Sequence, residues 1–383
     1  QRARSMAILN ALLGNYKMPG GLITQKKYGV PPINFPKFKH PRVQYSSKYP
    51  LASKVSSFEI IQHTLEGKPW DIHGWIVYGT NLIHTSANQA LTYEAITKLK
   101  FIASIDVLPS EITGYSDVIL PECTYLERYD DLDDRTYREP YVAIRQPAVP
   151  PMYDSKPGIE IFKILAEKMG RFDLFEDDIE TYLDKRLKKI GKSLEELKEK
   201  GVFVKPETPL YRQPNQKLKF KTPSGKIELV SSKMKEHGFD GVPQYTPHRE
   251  NPDGYYRLLF GRAPMHSFGR TTNNRILLEM MPENTIWVNE QAAERIGLKD
   301  GEYVYLVHEN GTRSNNNIKV KLTQRVRDDV VYMVHGFGHT DPRLRAGYMK
   351  GVNSSELTID TVIDPVMGAV GIQHNFVTFS RGA

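Results

Sequence analysis

The sequence predicts an α/β protein in which a parallel-sheet layer is followed by a C-terminal closed β-barrel. Two short apolar strands, Gly74 to Tyr78 (GWIVY) and Phe101 to Ile105 (FIASI), flank a helical pattern from Asn88 to Lys100. Strand, helix and strand at that spacing make a βαβ unit, which implies parallel pairing. From Tyr255 onward the texture changes to short strands in quick succession: Leu258–Phe260, Glu302–Val307, Ile318–Leu322 and Val330–Val334. An Asn310-Gly311 pair between two of them is a hairpin signal, and one small helix among so many strands suggests a barrel.

In the first layer, Leu91, Ala95, Ile96 and Leu99 give the helix an apolar side, and Asp117–Leu120 reads as a third strand. Ile159 to Met169 forms a second amphipathic helix, stopped by Gly170. Ser193-Leu194-Glu195-Glu196 fits a capping box on a short charged helix, and Ile227–Val230 reads as strand-like after a Thr-Pro-Ser-Gly turn. In the barrel, Asn289 is placed to cap a helix that Gly297 closes. Residues 19–69, rich in Gly, Pro, Lys and Tyr, show no sustained periodicity and read as an extended covering segment. Four divisions result: 1–69, a helix and extended segment completing a missing amino-terminal part; 70–170, the α/β domain; 171–254, a connecting insertion; and 255–383, the barrel.

Composition narrows the function. No apolar run reaches the length of a membrane-spanning helix. The single cysteine, Cys123, excludes an internal disulfide, a four-cysteine iron–sulfur cluster and the usual structural zinc site. A net charge of +7 is spread along the chain, without the concentrated basic stripe that nucleic acid requires. Gln1 and the helix-like run Ser5–Leu13 read as the interior of a longer polypeptide.

Three clusters are candidate sites. Gly79, Asn81 and Asp106 lie just past the carboxyl ends of two parallel strands, where open α/β sheets bind ligands. The acceptor-only Asp106 carboxylate suits a ring edge with paired N–H donors; capping the next turn is its ordinary structural role. Gly261 to Asn274 (GRAPMHSFGRTTNN) packs arginines, threonines, asparagines and a histidine between a strand and a helix start. Its planar arginine forks match phosphate oxygens. His335-Gly336-Phe337-Gly338-His339 ends a strand with glycines that allow close backbone approach. Glycine between the histidines argues against a helical metal pair, so no metal ligands are assigned. Cys123 reads as a small buried packing residue.

Together these segments resemble the molybdopterin oxidoreductase family that includes dimethyl sulfoxide reductase. The resemblance rests on AILNALLGNYKMPGG (7–21), Gly79-Thr80-Asn81, Ile105-Asp106, YSDVILP (115–121), and Asp364-Pro365-Val366-Met367-Gly368. YLERYD (125–130), TPSGK (222–226) and FGRTTNN (268–274) are similar to polysulfide and thiosulfate reductase catalytic subunits. The resemblance implies a dinucleotide-binding α/β domain, a barrel of the double-psi type, and a bis(molybdopterin guanine dinucleotide) cofactor carrying molybdenum or tungsten. Carried over by position, Gly79, Asn81, Asp106 and Ser110 would contact one dinucleotide. Arg262, His266, Ser267, Phe268, Arg270, Thr271 and Thr272 would line the pterin loop, with Asn353 and Gln373 completing the barrel side. Gly158 stands where many members carry an Asp. The family's 4Fe–4S cluster and metal-ligating residue would belong to the amino-terminal part, so the catalytic residues are unknown. An iron–sulfur subunit, a membrane anchor and a periplasmic location are further implications. Tetrathionate or arsenate reduction, or a cofactor-free subunit related to the large iron–sulfur subunit of complex I, are the alternatives.

Overall fold

A computed structural model describes residues 1–23, 25–33, 48–52, 56–174, 176–205, 209–213 and 215–382. The chain packs as two compact units: residues 1–41 with 121–247, and residues 42–120 with 248–383. These divisions differ from the sequence boundaries at 69/70, 170/171 and 254/255. The middle of the extended covering stretch, 34–47, lies outside the described residues. Among them, no helix is long and apolar enough to cross a membrane.

The second unit begins with a three-stranded sheet, in the order β1 (Gly74–Tyr78), β2 (Phe101–Asp106) and β3 (Val118–Pro121). β1 and β2 run parallel, in register from Gly74↔Phe101 to Tyr78↔Ile105, as the βαβ pattern predicts. The helix Gln89–Lys98 links them, with the Asn88 side chain accepting from the Leu91 amide. Alternation in β1 sends Trp75 and Val77 into a core with Ile61, Ile83, Ala95 and Ile102. Ile76 and Tyr78 face outward.

A helix at Ser57–Glu66 corrects the reading of residues 19–69 as lacking periodicity. Its signals are local: the Ser56 hydroxyl accepts from the Glu59 amide, and Gly67 closes the helix at φ +64°. The apolar residues Phe58, Ile61 and Leu65 fall on one helical side. Surrounding Pro and Lys hid this ten-residue segment.

In the first unit, β4 (Tyr141–Ala143) pairs antiparallel with β5 (Val202–Val204). The helices Ile179–Lys188 and Leu194–Lys200 supply Leu183, Leu187, Leu194 and Leu197 to its core. The capping box at Ser193 and Glu196 forms as read. Ile227–Val230 forms no strand. Four residues have too little apolar surface to hold a ladder without a neighbouring strand. Cys123 is fully buried, in keeping with a packing role.

The barrel contains β6 (Tyr256–Gly261), β7 (Thr285–Val288), β8 (Tyr303–His308), β9 (Ile318–Leu322), β10 (Val330–Val334) and β13 (Phe376–Ser380). A small hairpin, β11 (Val362–Ile363) with β12 (Val370–Gly371), lies outside it. The barrel closes in the order β10-β6-β13-β8-β9-β7, with β6–β10 and β7–β9 parallel and the rest antiparallel. Asn310-Gly311 makes the tight turn after β8, where the Gly311 amide donates to the His308 carbonyl. Alternation along β9 buries Ile318 and Val320 and exposes Lys319 and Lys321. Leu258, Ile286, Val304 and Leu306 fill the interior. Each such side chain contributes about 1.5–3 kcal/mol by leaving water. Closure leaves no unpaired edge strand, so the loops at its rim stand on a fixed frame.

Candidate functional site

In the second unit, the end of β6, the end of β10 and the segments near 85, 355 and 373 enclose a cleft of about 230 Å³. Its aromatic walls are Phe260, Phe268 and His335. The Phe260 and His335 rings stack 5.7 Å apart with their planes inclined by 29°, and Phe268 meets His335 edge-on at 5.6 Å. The Arg262 guanidinium sits 4.4 Å over the Phe268 ring. Among the described residues it donates no hydrogen bond, so its five N–H groups are open to a ligand. Burial lowers the His335 pKa, and Nδ1 lies 2.7 Å from the Ser354 hydroxyl. Flat π surfaces edged by donors fit a heterocycle with polar rims, and the volume suits one ring system.

The loop carrying Arg262 is held tightly. Phe268 adopts φ +53°, a conformation that bulky residues seldom take without over-determined surroundings. Gly336, at φ +106°, packs against it so closely that an added Cβ would come within 2.5 Å of the Phe268 carbonyl carbon. Several of the residues singled out from sequence make hydrogen bonds within the protein. The His266 Nε2 lies 3.0 Å from the Met281 carbonyl, and the Thr271 hydroxyl accepts from the Ser267 amide at 2.8 Å. Thr272 is fully buried and donates to the Gly336 carbonyl at 3.0 Å. Asn353 accepts from the Ser355 amide. Of the sequence candidates, Arg262, Phe268 and Gln373 line the cleft, and the Gln373 amide also donates to the Phe260 carbonyl.

At the sheet end, Gly79 turns the chain after β1 at φ +60°, with its amide donating to the Ile105 carbonyl at 2.9 Å. Asp106 ends β2 and accepts from the Val107 amide. Burial raises its pKa, against the Val107 and Leu108 amides and the positive charge of Arg270. Arg270 is exposed and donates no hydrogen bond among the described residues, so the structure brings a second open guanidinium toward Asp106. Ser110 precedes the short 3-10 helix Glu111–Tyr115, its amide donating to the Thr113 hydroxyl.

Sequence reasoning missed the buried cluster beside the cleft. Asn81 donates to Glu111. Glu111 also accepts from His339 Nδ1 at 3.0 Å and from the Thr340 amide at 2.8 Å. His339 Nε2 points to the Gly269 carbonyl at 3.2 Å and the Thr272 hydroxyl at 3.0 Å. The Thr272 hydroxyl also reaches the Gly336 carbonyl, so His339 is held at both ring nitrogens. Burial pushes the Glu111 carboxyl up, but the His339 hydrogen bond and charge outweigh it and hold it well below the carboxylate range. His84 stacks on His339 with centroids 4.4 Å apart and planes at 14°. Burial, then the His339 charge, push its pKa down to about 3. His84 therefore presents a neutral π face to the His339 ring.

His84, Glu111 and His339 bring ligand-type atoms within 4.8 Å of one another. Two histidines and a carboxylate are a common metal set, but the geometry here favours a hydrogen-bonded pair. Lone pairs of imidazole lie in the ring plane, and two stacked rings direct them side by side instead of converging. The carboxylate already accepts three hydrogen bonds.

Comparison with known proteins extends this reading. Residues 4–168 match the molybdopterin oxidoreductase profile, and residues 256–376 the molybdopterin dinucleotide binding domain. The thiosulfate reductase molybdopterin-containing subunit of Salmonella typhimurium is 29% identical, over 99% of this chain and 55% of that one. The dimethyl sulfoxide reductase of Haemophilus influenzae is 24% identical, over 92% of this chain and 48% of its own length. The chain thus spans about half the length of these relatives. Among solved structures, acetylene hydratase from Pelobacter acetylenicus shares the fold, with a TM-score of 0.71 at 18% identity, over 85% of this chain and 46% of that one. The donor-rich cleft fits the molybdopterin group that the two matched domains hold, and the chain belongs to the molybdopterin oxidoreductase family of enzymes.

Proposed function

We propose that this chain forms the cofactor-cradling half of the catalytic subunit of a reductase acting on thiosulfate, polysulfide or a related sulfur compound. The observation carrying this reading is similarity to a thiosulfate reductase subunit along 99% of the chain. The cofactor is a bis(molybdopterin guanine dinucleotide) with molybdenum or tungsten. When bound, it supplies the redox chemistry, and the protein contributes binding, orientation and electrostatics.

Arg262 and Arg270, with open planar forks, suit pyrophosphate oxygens. Phe260, Phe268 and His335 suit the faces of a pterin or guanine ring. Gln373 stands at the same rim. Gly79, Asn81, Asp106 and Ser110 form the sheet-end side of the cradle, while His266, Ser267, Thr271, Thr272 and Asn353 hold its shape. A 4Fe–4S cluster and the metal's protein ligand belong to an amino-terminal part of the same polypeptide. Parallel sheets are usually covered on both faces, and the outward Ile76 and Tyr78 offer apolar surface for such a part. An iron–sulfur subunit and a membrane anchor in the periplasm complete the assembly.

The test uses the full-length enzyme in viologen-linked assays with thiosulfate, polysulfide, tetrathionate, arsenate and dimethyl sulfoxide, with metal and guanine measured on the same sample. Turnover of thiosulfate or polysulfide above the others is the expected result. A preference for arsenate or dimethyl sulfoxide would overturn the substrate assignment. A preparation that binds no pterin under any condition would favour the cofactor-free alternative.

A further inference from the structure

We propose that Glu111 and His339 form a buried positioning pair that fixes the loop of Arg262 and Phe268 against the sheet-end side of the cradle. It rests on the reading above, because the geometry being positioned is that of the proposed cofactor cleft. The two residues are separated by 228 positions in the sequence. Glu111 is 6% exposed and His339 2%, so water barely screens them.

The pair reaches four segments of the second unit. Asn81 donates to Glu111 from the turn after β1. Glu111 itself starts the 3-10 helix after Ser110. The Thr340 amide joins from the loop after β10, and His339 Nε2 reaches the Gly269 carbonyl next to Phe268. The Thr272 hydroxyl ties the last two segments through the Gly336 carbonyl.

Each segment could shift alone, but the carboxylate accepts from three of their donors at once. The other titratable groups facing it are His84, stacked on His339, Arg343, which donates to Thr113 at 2.8 Å, and Tyr93 on the helix Gln89–Lys98. Neither Glu111 nor His339 lines the cleft, so they act through the loop and not on a ligand.

Glu111→Gln keeps the shape but replaces one acceptor oxygen with an amide donor, so that a donor faces a donor among Asn81, His339 and Thr340. Hydrogen exchange is measured on cofactor-free full-length protein. Expected is exchange about tenfold faster or more at Gly269–Thr272 and Gly336–Thr340, with barrel-strand amides such as Ile286 and Leu306 unchanged. A merely structural role would speed exchange at all of these sites together, and that result, or unchanged loop exchange, would overturn the proposal.

Glu111→Gln combined with His339→Gln places two amides that can donate and accept to each other and should restore part of the loop protection. Absence of any rescue counts against the pair acting as a unit. Should Glu111→Gln fail to fold, Thr272→Val, which deletes one hydroxyl at constant shape, must loosen the same two loops or the proposal falls. Faster loop exchange in a protein whose parent binds no pterin would leave the positioning pair standing and sink the functional reading instead.

Discussion

The neutral His84 makes the second unit sensitive to acid in a way that can be calculated. Its side chain is 1% exposed, and its pKa falls from 6.5 to about 3 through burial and the adjoining His339 charge. A histidine whose folded pKa is depressed takes up a proton in the unfolded chain before it does so in the native one. Its contribution is therefore fully retained above about pH 6.5 and is lost progressively as pH falls toward 3. At pH 5 the unfolded chain binds nearly one proton that the native state refuses. The loss relative to pH 7.5 is about 2 kcal/mol, or about a thirtyfold fall in protection. Because pH 5 lies well above 3, this figure depends almost entirely on the unfolded value. Near-complete burial means that no solvent-screening discount applies. His84→Phe keeps a ring over His339 and removes the titrating nitrogens. The assay compares protection factors of core amides, such as Ile105 and Leu306, at pH 7.5 and 5 in both proteins after correction for intrinsic exchange. The wild-type ratio should exceed the variant's by about thirtyfold. A constant packing cost of phenylalanine cancels from that ratio. Equal ratios would refute a neutral, proton-refusing His84.

Three further outcomes are expected. Arg270→Lys, which keeps charge but loses the planar fork, should lower the molybdenum and guanine content of purified enzyme without moving its melting temperature; unchanged content would exclude the pyrophosphate role. Gly336→Ala places a methyl group against the Phe268 backbone at positive φ, and should cost about 1–3 kcal/mol in thermal or chemical unfolding. An unaltered midpoint would mean that the two loops separate freely. Residues 1–383 expressed alone, with cofactor supplied, should show no viologen-linked reduction of thiosulfate, polysulfide or tetrathionate. Turnover with stoichiometric metal would place the catalytic centre within this segment.

Much of the architecture was legible because it is local. The βαβ unit showed itself in two apolar strands and one helical period, and the barrel in closely spaced strands with an Asn-Gly turn. The helix Ser57–Glu66 was missed because its caps, Ser56 and Gly67, sit in a stretch whose Pro and Lys content masks a short period. Ile227–Val230 was over-read because β-branched and apolar residues favour a strand only where a partner ladder exists. The loop from Arg262 to Thr272 was legible as a donor-rich cluster. Sequence could not separate the donors left open, Arg262 and Arg270, from those consumed by the scaffold, His266, Thr271 and Thr272. That distinction is made by tertiary hydrogen bonds. Glu111 carried no signal at all: a single carboxylate after Ser110 looks like any first-turn acid until His339 meets it.

The position of β13 also governs the order in which the protein can be made. Phe376 and Val377 pair with Arg257 and Tyr256 of β6, while Val377 to Ser380 pair with His308 to Tyr305 of β8. The last barrel strand to leave the ribosome is thus inserted between two made much earlier. Until then β6 and β8 present unpaired edges toward each other, and Leu258, Val304 and Leu306 lack one wall. By contrast, β1 and β2 can pair as soon as the helix between them has emerged. Nascent chains must therefore pass through a state with a formed sheet and an open, adhesive half-barrel, the kind of surface that holding chaperones recognise. Gln373, at the rim of the cleft, arrives only with this final strand. The cleft therefore has its full wall only once this strand has closed the ring.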